Sequence, residues 1–182
     1  RRNGWIGVWQ VSLLINKKKK DPIDYYFIGN EYQGLGELEK AIESYKKGYQ
    51  LKDGLNYDWV RKLIVRLIIC LNASVRNKEA LEIINACEEV YSELVDFKFL
   101  KGKIYKEQDR VKEAINIFEN ILGNKETLIA DTSPDYLEYL PHRFLGELYE
   151  QEEEKLELAV HHYSKTLSIN DMDDYIWYRL IN

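Results

Sequence analysis

The chain has 182 residues, 45% of them hydrophobic and 31% charged, with a net charge of −5. It is long enough to bury a sizeable core, too polar for a membrane-embedded protein and too apolar for a disordered one. Three prolines and ten glycines are few for a turn-rich β fold, and the abundance of Leu, Ile, Glu, Lys and Tyr suits helices.

From the N-terminus, the first predicted element is an apolar helix around Trp5–Ile15, followed by the run Lys17–Lys20. Residues 1–21 are therefore set apart from the rest of the chain. The apolar stretch is far short of the roughly 20 residues that span a bilayer. No small-residue cleavage site comes after it, so neither a membrane span nor a signal peptide is expected. The first 20 residues hold six basic and no acidic side chains, against 20 basic and 31 acidic in the remainder. An acidic body argues against nucleic acid as a partner, and the lysine run is expected to be a solvated linker. The chain begins with Arg1 rather than Met and still reads as helix over Tyr175–Asn182, so a longer polypeptide is expected.

From residue 22 onward one register recurs. Gly29 and Ala41 are twelve apart, as are Ile68 and Ala80, and Gly102 and Ala114; Gly146 and Ala159 are thirteen apart. Tyr32, Leu71, Tyr105 and Tyr149 stand three after the first site of each pair, and Tyr45, Ile84, Phe118 and Tyr163 four after the alanine. Tyr25, Ile28 and Tyr32 form a helical stripe, Gly34-Leu35-Gly36 a turn, and Glu37–Leu51 a second helix. Such a hairpin cannot bury its face alone; stacking completes the core. The expected units are about 22–55, 61–94, 95–128 and 139–173, with a cap over 174–182 and extra loop at Asp53–Asp58 and about Gly123–Pro141. The segment GNEYQGLG is not a phosphate loop, because Gly29 lies inside a helix and no Gly-Lys-Ser/Thr comes after it.

This register resembles the tetratricopeptide repeat, which Tyr25, Ile28, Gly29, Tyr32, Ala41 and Tyr45 match in the first unit. The resemblance implies an all-α fold, a right-handed α-α superhelix of about four hairpins with terminal capping helices. It also implies binding of a protein or peptide rather than catalysis. Positions that face the groove in that family fall here on Tyr26, Asn30, Gln33, Lys62, Asn72, Phe99, Lys103, Lys106, Arg143 and Glu147. Asn30 matches the asparagine that holds a peptide backbone or terminal carboxylate, but Tyr26 stands where a lysine is expected, so the carboxylate clamp is incomplete. Aromatic and basic residues together suit a peptide of mixed apolar and acidic character, or a sugar face; an ordinary polar surface is the alternative.

Arg2-Asn3, a helix, Asp21-Pro22 and then Tyr26, Phe27, Gly29, Glu31 and Tyr32 resemble the junction where bacterial family-2 glycosyltransferases pass into a C-terminal tetratricopeptide tail. The intervening helix is more apolar here, and Trp5, Ile6 and Trp9 would give it a docking face. The resemblance implies a non-catalytic, cytoplasmic accessory domain. It would dock on a catalytic domain of the same polypeptide, dimerise or present an acceptor. The nucleotide sugar and divalent metal would belong to that other domain, leaving no cofactor in this chain. A stand-alone adaptor for a peptide segment is the alternative, and homo-oligomerisation stays open.

The remaining chemistry reads as structural. Asp171, Asp173 and Asp174 imitate a metal-binding Asp-x-Asp but stand at a helix start, where Asp caps. Cys70 and Cys87 are expected to be buried thiols in a reducing compartment. His161 and His162, adjacent on a helix, diverge by about 100°; one should pack and the other be solvated. Glu150 and Glu152–Glu154 read as a solvated acidic turn.

Overall fold

A computed structural model describes residues 13–51, 57–131 and 133–181. Trp5, Ile6 and Trp9, with Arg2-Asn3, lie outside the described residues; of the first helix, residues 13–16 are described. Beyond it run α1 (Pro22–Gly34), α2 (Leu38–Gln50), α3 (Tyr57–Ala73), α4 (Asn77–Glu88), α5 (Val95–Glu107), α6 (Val111–Gly123), α7 (Tyr139–Tyr149), α8 (Leu156–Ile169) and α9 (Asp174–Ile181). Short 3-10 turns lie at Pro134–Tyr136 and Glu153–Lys155. No strand occurs among the described residues. Helix α3 begins ahead of the expected start of the second unit at 61.

The glycine positions explain how each hairpin closes. A Cβ on Gly29 would meet the Tyr45 ring at 2.5 Å, one on Gly102 the Phe118 ring at 2.8 Å, and one on Gly146 the Tyr163 ring at 2.4 Å. In three hairpins, then, a ring from the second helix fills the notch left by the missing side chain of the first. Gly48 plays the same part toward the next helix, since a Cβ there would meet Leu63 at 2.6 Å. The rings of Tyr45, Phe118 and Tyr163 are buried, as are the small partners Ala41, Ala114 and Ala159.

The first three turns share one hydrogen-bonding scheme. Glu37 N–H donates to Tyr32 C=O, Arg76 to Leu71 and Arg110 to Tyr105, each five residues back. This is the Schellman closure, which needs a left-handed residue just before the donor. The residues in that place are Gly36 at φ 76°, Val75 at φ 60° and Asp109 at φ 59°. The fourth turn, one residue longer, uses the 3-10 turn Glu153–Lys155 instead.

The residues cluster into two compact units, Arg1–Ile83 and Ile84–Asn182. The first is built around Ile28, Ile42, Tyr45, Leu63, Ile64 and Leu67. Its α1 start is held by Lys17, which bridges the carboxylates of Asp21 at 2.7 Å and Asp24 at 2.8 Å. Lys17 is thus tied to the fold rather than part of a purely solvated linker. The second unit has a core of Phe99, Phe118, Leu145, Tyr149, Tyr163 and Ile176. There the long loop after α6 is pinned beside α5: Val95 N–H donates to Ile129 C=O at 3.0 Å and Ile129 N–H to Glu93 C=O at 2.8 Å. The buried Asp96 carboxylate accepts Asp131 N–H at 2.8 Å.

Candidate functional site

In the first unit, Tyr26, Asn30 and Gln33 stand at i, i+4 and i+7 of α1 and share one face. Asn30 Oδ1 accepts the Tyr45 hydroxyl at 2.8 Å, and Gln33 Oε1 lies 3.0 Å from the same oxygen. A hydroxyl has one proton, so it serves one of these amides at a time. When Asn30 Oδ1 accepts that proton, the Asn30 Nδ2 donors take no part in the bond. Burial pushes the Tyr45 phenol above its ordinary pKa, which keeps it protonated as that donor.

Tyr26 packs edge-on against Phe27 (5.5 Å between centroids) and Trp59 (5.2 Å), and Phe27 lies 5.7 Å from Trp59. The Lys62 ammonium sits 5.4 Å over the Trp59 ring. The three rings fill one another's space, so they form a ledge rather than a cage, and Phe27 remains 41% exposed. Asn72 stands further along α3, where its buried Oδ1 has no hydrogen-bond partner among the described residues.

The second unit is arranged differently. Phe99 is 2% exposed, stacked on Tyr136 at 4.1 Å and on Phe144 at 5.6 Å. This corrects its expected place on a groove surface. The long loop delivers Tyr136 over it, which the register of α5 does not foretell. Lys106 pairs with Glu147 at 2.7 Å and lies 5.0 Å over the Phe144 ring. Arg143 reaches Glu147 at 3.5 Å and Asp173 at 3.7 Å, and stacks 4.7 Å over Tyr175. Lys103 faces Glu107 at 3.7 Å. The basic candidates here are neutralised by acids of the same unit.

Asp173 is a buried cap. Its Oδ1 accepts Ile176 N–H at 3.3 Å at the start of α9, and its Oδ2 accepts the Tyr139 hydroxyl at 2.6 Å. Glu150 departs from the expected solvated turn, accepting the Tyr163 hydroxyl at 2.6 Å and Arg179 Nε–H at 2.9 Å. The histidine pair that matters is not the adjacent one. His142 Nδ1 and His162 Nδ1 are 2.8 Å apart, one donating and one accepting. Burial, then the charges of His142 and His161, lower the His162 pKa to about 4; burial also lowers that of His142. Cys70 and Cys87 are buried thiols, each pushed up to about 11 by burial.

Sequence reasoning missed Trp59, although it lies within a helical turn of Lys62. It also missed the His142–His162 bond, whose only trace is that each residue faces the other helix of its hairpin in the repeat register.

The tetratricopeptide repeat profile matches residues 25–54 and 95–127, the first and third hairpins. Of solved structures, MamA from Desulfovibrio magneticus RS-1 is similar with a TM-score of 0.70 at 18% identity, over 92% of this chain and 88% of that one. YrrB, described as a TPR protein with an unusual peptide-binding site, is similar with a TM-score of 0.63 at 19% identity, over 88% and 75%. TTC0263, a thermophilic TPR protein of Thermus thermophilus, is similar with a TM-score of 0.58 at 17% identity, over 96% and 93%. No curated protein matches the chain. The first and third hairpins match the tetratricopeptide repeat, and the all-α fold is that of the tetratricopeptide solenoids.

Proposed function

We propose that this chain of tetratricopeptide repeats is a protein-interaction module that recognises a peptide segment on the α1–α3 face of its first unit. The observation that carries this reading is the ledge of Tyr26, Phe27 and Trp59 beside Lys62, with the Asn30 amide one turn away. An exposed ring and two partly buried ones, held rigid by one another, offer apolar contact at small entropic cost, and the amide supplies a backbone hydrogen bond. The peptide-binding site named for YrrB is in keeping with such a role. Dodecapeptides selected on this chain from a random display library should lose binding when Trp59→Ala or Tyr26→Ala is introduced. Retention of affinity in both folded variants would remove the ledge from the reading.

The finer reading is an accessory C-terminal part of a family-2 glycosyltransferase, supported by Arg2-Asn3, Asp21-Pro22 and the Gly29–Tyr32 segment. Reading the coding sequence upstream of Arg1 tests it: a sugar-nucleotide domain with Asp-x-Asp after an apolar strand is expected. An unrelated domain or a start codon there leaves the stand-alone adaptor.

A further inference from the structure

The fourth hairpin, α7 and α8, brings His142 and His162 together with their Nδ1 atoms 2.8 Å apart. The ring centroids are 5.1 Å apart, so the approach is head-on, and the lone pair of one nitrogen looks along the N–H of the other. Both rings are half-buried, and Tyr149, at the end of α7, stacks on His162. Of the charges acting on His142, that of Glu138, one turn before it, comes first and favours positive charge there. Lys165 and Lys125 oppose it, but Lys125 is itself held by Glu138 at 2.9 Å.

Hairpin packing does not ask for histidine at these places. The same two register positions carry Tyr25 and Ser44 in the first hairpin, Ile64 and Ile83 in the second, and Lys98 and Ile117 in the third. An aliphatic pair buries no polar group, whereas two imidazoles lose water and recover one shared hydrogen bond. Burial lowers the proton affinity of both rings. They are therefore neutral near pH 7, the state in which imidazole binds a metal.

We propose that His142 and His162 form a binding site for a divalent transition-metal ion, Zn2+ in the first place, that staples α7 to α8. Zinc takes imidazole nitrogen at about 2.0–2.1 Å, and tetrahedral angles then put two donors about 3.3 Å apart. The two nitrogens must part by about 0.5 Å and swing their lone pairs about 35° off their present line, a turn that the broad χ2 of histidine allows. The hydrogen-bonded pair is thus the collapsed form of the site. On binding, the proton between the rings is carried instead on Nε2 of the donor ring. Two neutral imidazoles then face the ion, and no net proton is released. Among the described residues no group of three His, Cys, Asp or Glu side chains is placed to hold a metal. Water therefore fills the remaining positions, and Glu138 offsets the charge from one turn away. Such a site is expected to bind in the micromolar range, more weakly than a four-ligand structural zinc site.

The probe is Zn2+ alone, titrated calorimetrically into the untagged whole chain near neutral pH. One ion per chain is expected, with a rise in the urea midpoint as Zn2+ is added. His142→Gln and His162→Gln should each weaken binding at least about tenfold, since even an outer partner of a metal ligand costs that much. His161→Gln, altering the exposed neighbour, should not. Imidazole nitrogen NMR of the unaltered chain gives the same answer without a variant: Zn2+ should shift the Nδ1 resonances of His142 and His162. No binding by the unaltered chain, or full affinity in either glutamine variant with its fold intact by circular dichroism, overturns the site. A Zn2+ shift confined to His161 overturns it as well.

Discussion

Single residues show where the chain is under strain and where it has no room. Val75 has a left-handed backbone at φ 60°, where its branched Cβ crowds the main chain. Its side chain is 81% exposed, so little packing is lost on removal. Val75→Gly should raise unfolding stability by about 1 kcal/mol, once the greater freedom of glycine in the unfolded chain is deducted; a urea titration reads it. Gly146→Ala should act oppositely, costing about 1–3 kcal/mol, because the new methyl meets the buried Tyr163 ring. Gly34→Ala is the contrast: nothing lies within 4 Å of its Cβ position, and it should stabilise by up to about 1 kcal/mol through helix propensity. If Gly34→Ala and Gly146→Ala shift the urea midpoint alike, the notch is not what sets the glycine.

At the level of the helix, Asp173 joins a cap to a buried cluster. Asp173→Ala removes the side-chain acceptor for Ile176 N–H, strands the Tyr139 hydroxyl and leaves Arg143 with Glu147 alone. The expected cost is about 2–3 kcal/mol, read as a lower midpoint and as faster amide exchange in α9. Helices and their pairing were legible in the sequence because each rests on a local signal: Gly29 twelve before Ala41, or Asp before an apolar turn. Phe99 was misplaced for the opposite reason. Its burial depends on Tyr136, which arrives from a loop whose path has no period. The same holds for His142 and His162, whose meeting depends on two helices closing at a particular roll. For the candidate site, Tyr26 and Asn30 followed from the register. Trp59 did not, because its ring meets Tyr26 and Phe27 only once α3 has packed on α1.

Across the whole molecule, acidity should matter more than the surface charges suggest. In the unfolded chain His162 takes up a proton near pH 6.5, whereas in the fold it does so only near pH 4. Between those values the unfolded chain binds more protons, so stability falls as pH drops from about 6.5 to about 4 and levels off below. Glu138 opposes the depression at His142, while Lys125, Lys165 and His161 add to it. Allowing for partial solvent access, the loss should be on the order of 2 kcal/mol. His162→Phe should flatten urea midpoints over that range; an unchanged slope would assign the acid sensitivity to other groups. Finally, the notch under each ring makes hairpins heritable as coupled pairs of positions. Gly29→Ile alone collides with Tyr45, and Tyr45→Ile alone leaves a void. The second hairpin carries Ile68 and Ile84 at the two corresponding sites, each buried. Joint replacement of Gly29 and Tyr45 by isoleucine should therefore cost less than the sum of the singles by about 1–3 kcal/mol. Among descendants of this chain, the two sites should change together or not at all.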